Sequence, residues 1–145
     1  MAAPSASLTR WIARHAIVVW LGIVLNLVFA LPLLFYPQWL LELFALPPGP
    51  TVWPRFAGLL LIILSVFYVP ATLDIDRYRI FAWLHVLPSR TFGVVFFTLA
   101  VFAFGQPYGF LIAVLLDGGI AVLSLFCLVR VTELEGALAA EGAAT

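Results

Sequence analysis

The stretch 79–104, RIFAWLHVLPSRTFGVVFFTLAVFAF, is long enough to cross a bilayer only if Arg90 is carried inside. Cut at Pro88, the remaining apolar run extends about 20 Å at 1.5 Å per residue, short of the roughly 30 Å hydrocarbon core. Read from Ile80, it is a full span. A proline within a helix removes one donor and frees the carbonyl four residues earlier, here that of Leu84, which predicts a bend rather than a break. Arg90 then lies on the order of 15 Å deep. A guanidinium at that depth costs about 3 kcal/mol or more, so it must face other helices and meet a partner or a water-filled cavity.

The rest of the 145-residue chain can supply those helices: 65% of it is hydrophobic, 10% is charged, and the mean hydropathy is +1.17. Soluble domains carry about a quarter charged residues. The composition implies an all-α polytopic membrane protein: a four-transmembrane-helix bundle forming a single membrane domain over residues 1–145. With a formal net charge of zero and no basic patch, nucleic acid is not an expected partner. The lone Cys127 has no intrachain disulfide partner and reads as a buried thiol.

Residues 1–9 read as a loose tail. Helix one is expected over about 15–35 and is kept as an anchor. Val28-Phe29-Ala30 is a weak match to a cleavage site, but the apolar run continues past it. Residues 37–46 hold Trp39, Leu40, Leu43, Phe44 and Leu46 around Glu42, too few to span and suited to a short interfacial helix. Helix two is expected over about 54–73, helix three over 80–104 and helix four over 110–131, followed by a fraying helical tail over 132–145. The turn Gly105-Gln-Pro-Tyr-Gly109 makes the last two helices antiparallel neighbours. Four spans put both ends on one side, with Arg10, Arg14, Arg77, Arg79 and Arg130 there and Arg55 alone opposite. The positive-inside rule places both termini in the cytoplasm.

Counted from these ends, Asn26, Ser65 and Arg90 reach one level, and Asp117 sits about 10 Å beyond the Arg90 backbone. A network of Arg55, Asp117 and Arg90 is expected. Gly22 with Asn26, Gly58 with Ser65, Arg90 with Gly93, and Asp117 with Ala121 and Ser124 each join small and polar residues on one helix face, the pattern of a lipid-embedded contact. His15 and His85 both fall toward the cytoplasmic side, where a bis-histidine haem would need them. His15 is read at the mouth of its helix, and five residues at the α-helical repeat put His85 roughly 140° around from Arg90. The expectation is an interfacial His15, a hydrogen-bonded His85 and no haem. The chain has no metal-ligand motif, phosphate-binding glycine loop or paired carboxylates, which argues against an independent hydrolase or transferase.

Tyr36-Pro37, Arg55-Phe-Ala-Gly58, Ala82-Trp83 and Ser89-Arg90-Thr-Phe-Gly93 give the layout of the small four-helix bacterial membrane proteins grouped as DoxX-like, which the chain resembles over about three of its four spans. The HVLPSR bend has no counterpart in that pattern. The resemblance makes Arg55, Arg90 and Asp117 the family-like polar positions, and DoxX itself is known as a small subunit associated with quinone-linked sulfur oxidation. The leading expectation is a non-catalytic subunit or assembly partner of a membrane complex, with quinone-linked electron transfer as its setting. The alternative is a binding protein or oligomeric transporter for a small hydrophobic or anionic ligand, held by Arg55, Arg90 and Asp117 with Asn26, Ser65 and His85 nearby. No metal or resident cofactor is expected. A quinone or lipid is the candidate occupant, and the partners are the bilayer and either other subunits or further copies of the chain.

Overall fold

The computed structural model describes residues 6–144, and all regular structure among them is helical. The order is α1 (Ala6–Phe35), α2 (Pro37–Leu43), α3 (Val52–Leu73), α4 (Arg79–Leu84), a π-helical turn (His85–Arg90), α5 (Thr91–Phe102), one 3-10 turn (Tyr108–Phe110) and α6 (Leu111–Ala143). Ala6–Phe35, Val52–Leu73, Arg79–Phe102 and Tyr108–Ala143 are each long and apolar enough to cross a membrane. Their outer surfaces carry exposed Ile17, Val28, Phe92, Phe96, Phe102 and Leu115, continuous apolar cover that a water-soluble monomer rarely presents. The chain thus has the makings of a multi-pass membrane protein.

Helix one starts at Ala6 rather than near residue 15, and the helical tail expected after residue 131 continues the last helix to Ala143 without a break. Of the expected N-terminal tail, residues 1–5 lie outside the described residues, as does Thr145 at the other end. Hydropathy marks the part of a helix that suits lipid, whereas backbone hydrogen bonding continues wherever good helix formers follow. LEGALAAEGA is rich in them.

Leu8 at the start of α1, Ala71 and Ile75 at the end of α3, Ala82 in α4, and Leu128 and Val131 late in α6 form one buried cluster. The first and last helices therefore meet at the same end of the bundle. There Arg79 grips both carboxylate oxygens of Glu135 at 2.6 Å and reaches Asp76 at 2.9 Å. At the other end α2, with proline at its first position as helix starts favour, leads into Phe44, whose ring lies 5.8 Å from that of Phe29.

Backbones touch in two places through glycine. A methyl on Gly58 would lie 2.8 Å from the Ala30 carbonyl oxygen, so α1 and α3 are in direct backbone contact. A methyl on Gly109 would collide with the Phe44 carbonyl oxygen, which clasps the α5–α6 connection against the chain leaving α2. Gly109→Ala is expected to destabilise the bundle by about 1–3 kcal/mol, the usual cost of overpacking a closed contact. Thermal unfolding in mild detergent measures this, and an unchanged midpoint would show that the clasp opens freely.

Candidate functional site

The polar groups expected inside the bundle converge on Arg90. Its residue is only 3% exposed, enclosed by neighbouring helices rather than facing acyl chains. Nη1 donates to Asp117 Oδ1 at 2.5 Å, Nε to His85 Nε2 at 3.1 Å, and Nη2 approaches Asn26 Oδ1 at 3.5 Å. Asn26 Nδ2 in turn donates to Ser65 Oγ at 3.2 Å, and that hydroxyl donates to the Leu61 carbonyl at 2.7 Å. One connected network thus joins α1, α3, the π turn and α6.

Two glycines create the room. A methyl on Gly22 would fall 2.6 Å from Arg90 Nη2 and 3.1 Å from Ile120 Cγ2, while one on Gly93 would lie 3.3 Å from Asp117 Oδ2. The guanidinium and its counter-ion occupy the volume that two side chains would otherwise fill. The side chains of Arg90 and Asp117 thus meet directly, across the offset that residue counting placed between them.

The His85 contact corrects the sequence reading. An α-helical repeat puts His85 far around from Arg90, but residues 85–90 form a π turn, in which hydrogen bonds run to the fifth residue and positions five apart come into line. The Thr91 amide and hydroxyl both donate to the Val86 carbonyl five residues back. Pro88 sits inside this turn. With no N–H and a ring that crowds the carbonyl four residues earlier, it favours the wider register over a regular α turn. The bend expected at Pro88 takes this form, and it brings His85 onto Arg90.

Arg55 stands apart. It lies exposed in the first turn of α3, and among the described residues it makes no ion pair, so the expected three-member network reduces to Arg90 and Asp117. Arg55 sits at the end opposite the Arg79–Glu135 clamp, ten residues before Ser65. His15 is also displaced from its expected place. Nine residues into α1 rather than at its mouth, it has no exposed surface.

Tyr68 and Ser89 enter the site without having been singled out. Their hydroxyls are hydrogen-bonded to each other, the Tyr68 ring meets His85 edge-on at 4.4 Å, and the Arg90 guanidinium carbon lies 5.8 Å from the Tyr68 ring centre. Tyr68 follows Ser65 by three residues, so the helical spacing that selected Ser65 also pointed to it.

Beside this network opens a cleft of about 360 Å³, within the range of small-molecule sites. Its walls are apolar, with Phe29, Leu33, Leu60, Leu64 and Phe97 among them, and Asn26, Arg90 and Asp117 form its polar end. The Asp117 side chain is 31% exposed against 4% for that of Arg90, so the carboxylate faces the opening while the guanidinium backs it. Of the six positions expected at the site, Asn26, Ser65, His85, Arg90 and Asp117 are brought together, and Arg55 is not. Among the described residues no group of three or more His, Cys, Asp or Glu side chains is placed to hold a metal ion.

Comparison with known protein families, curated proteins and solved structures returned no match.

Proposed function

We propose that this chain is a multi-pass protein of the bacterial inner membrane, with both termini cytoplasmic, that holds a lipid-soluble molecule carrying a carbonyl or hydroxyl head, of which quinones are the representative class. The observation that carries this reading is an apolar cleft with one polar end, where an arginine and an aspartate neutralise each other and still have bonding capacity left. A guanidinium has five N–H groups, and Arg90 directs them at only three partners. Asp117 Oδ1 is taken, which leaves Oδ2 to accept from a hydroxyl. A neutral head that accepts from Arg90 or donates to Asp117 fits without leaving a charge unpaired, while its apolar tail lies along Leu60, Leu64 and Phe97.

The narrower reading as a non-catalytic subunit of a quinone-linked complex is compatible with the same cleft. Such a subunit has to hold the carrier within reach of a partner's redox centre and needs no redox ligands of its own. Co-purification in mild detergent separates the two: a lone monomer that still binds quinone favours the simple binding protein. The orientation follows from the arginines, five of which lie at the Arg79–Glu135 end of the bundle and one, Arg55, at the other.

Titrating decylubiquinone into the chain in lipid nanodiscs tests the reading. Arg90→Met is expected to weaken binding at least about tenfold, the loss of one hydrogen bond from a charged donor. Ala113→Phe, which fills the cleft and leaves the polar network in place, is expected to abolish it. Wild-type affinity in both variants would show that the quinone sits elsewhere.

A further inference from the structure

His15 and His85 are both fully enclosed, yet neither has its hydrogen-bonding capacity met. Among the described residues, both ring nitrogens of His15, Nδ1 of His85 and Oγ of the equally enclosed Ser124 have no partner. Each such atom has lost its water without a replacement bond, so the group is a poor device for stability and calls for another role.

These atoms occupy one layer. Gly22, Arg90 and Ile120 meet at a single point. From it His15 lies two turns back along α1, His85 one π turn back from Arg90, and Ser124 four residues onward in the antiparallel α6, all in the direction of the Leu8–Val131 cluster. His15 and His85 are within electrostatic range of each other. His85 meets the cleft through Arg90, which it bonds and which forms part of the cleft's polar end.

The charges facing the pair are few. The π turn contributes Arg90, α6 contributes Asp117 beyond it, α3 contributes the Tyr68 phenol against His85, and α1 contributes His15 itself and, beside it, the exposed Arg14, which is in electrostatic range of the buried Cys127 thiol of α6. Arginine only donates, so His85 Nε2 accepts its bond and the His85 proton resides on Nδ1. His15 keeps an open lone pair in either tautomer. With Arg90 and Asp117 cancelling, the site is neutral, and His15 is the base beneath it with a lone pair to spare.

A head with a negative charge would leave this low-dielectric site with an uncompensated anion, which is costly. We propose that His15 and His85 form a buried proton-holding site that loads as an anionic head enters the cleft, so that single-headed anionic amphiphiles bind together with one proton and neutral ones bind without. This rests on the reading of the cleft as a ligand site and extends it to alkyl carboxylates, sulfonates and lipid phosphates. His85 acts through its hold on Arg90, and His15 is the base that fills.

Calorimetry in nanodiscs, in buffers of differing ionisation enthalpy, counts the protons directly. Decyl sulfonate keeps its charge from pH 5 to 8, and decylubiquinone has none. At pH 7 the expected uptake is about one proton per sulfonate bound and none per quinone, with sulfonate affinity falling about tenfold for each pH unit of increase. His15→Gln is expected to remove the uptake while leaving quinone affinity within about twofold. The wild-type comparison of the two probes stands even where that variant does not fold. Quinone binding with no sulfonate-linked proton overturns the proton site alone, and failure of both probes to bind overturns the ligand cleft as well. Uptake that survives in both His15→Gln and His85→Gln, and disappears in Asp117→Asn, would assign the proton to the carboxylate and reject the histidine pair.

Discussion

Asp117→Leu is expected to lower the unfolding free energy in detergent by about 3–5 kcal/mol, and Arg90→Met by distinctly less. Removing one member of a buried ion pair strands the other, at a cost in this range. The two remnants differ in what they can do about it. A stranded carboxylate takes up a proton, and the Asp117 side chain already has 31% of its surface exposed. A stranded guanidinium cannot deprotonate, and that of Arg90 is 4% exposed with only His85 and Asn26 left as acceptors. An uncompensated arginine at mid-bilayer costs about 3 kcal/mol on insertion scales, which agrees with the lower end of the range. The double variant, with methionine and leucine filling the space together, is expected to recover most of the loss. Thermal or SDS-induced unfolding of the four proteins closes the cycle, and equal losses for the two single variants would show that Arg90 finds water or another acceptor.

Gly22→Val is expected to mimic the loss of Arg90 without touching it. A methyl there already falls 2.6 Å from Nη2 and 3.1 Å from Ile120 Cγ2, and valine adds two more carbons to a space the guanidinium occupies. Overpacking of this kind costs about 1–3 kcal/mol. Here it also pushes Arg90 out of line with Asn26 and Asp117, so quinone affinity should fall at least about tenfold, as in Arg90→Met. Gly119→Ala serves as the control. Among the described residues nothing beyond the local helix backbone lies within 4 Å of an added methyl at Gly119, and replacing glycine in a helix interior is worth up to about 1 kcal/mol of added stability. Binding equal to wild type in Gly22→Val would mean that the guanidinium moves aside at no cost, and the network would lose its claim to a defined geometry.

Much of this site could be read before any coordinates, because membrane length and charge cost act together on a short list of residues. Arg90 had to be inside if residues 79–104 were to span. Asn26 and Ser65 shared its level by simple counting, and Gly22 and Gly93 stood one turn from polar partners on the same faces. The position of His85 could not be read in that way. It depends on hydrogen-bond register within 85–90, and a sequence containing Pro88 announces a disturbance without saying whether the helix kinks, breaks or widens. The burial of His15 was hidden by the charges around it: Arg10 and Arg14 end the apolar run, although helical geometry carries on to Ala6. Arg55 was drawn toward Asp117 by sign and by its place on the same side of the membrane, but in the first turn of α3 it lies exposed and outside the network.

The last helix deserves a final physical consequence. At 33 residues it is about 50 Å long, while the hydrocarbon layer is roughly 30 Å thick, so a single uninterrupted rod carries Asp117 at one depth and Glu141 well beyond the lipid. Anything that swivels the rod at the carboxylate must also swing its free tip, unless the grip of Arg79 on Glu135 slips. The tip therefore works as a periscope: a spin label or fluorophore at Ala143 reports, from the aqueous side, what happens at the Asp117 carboxylate.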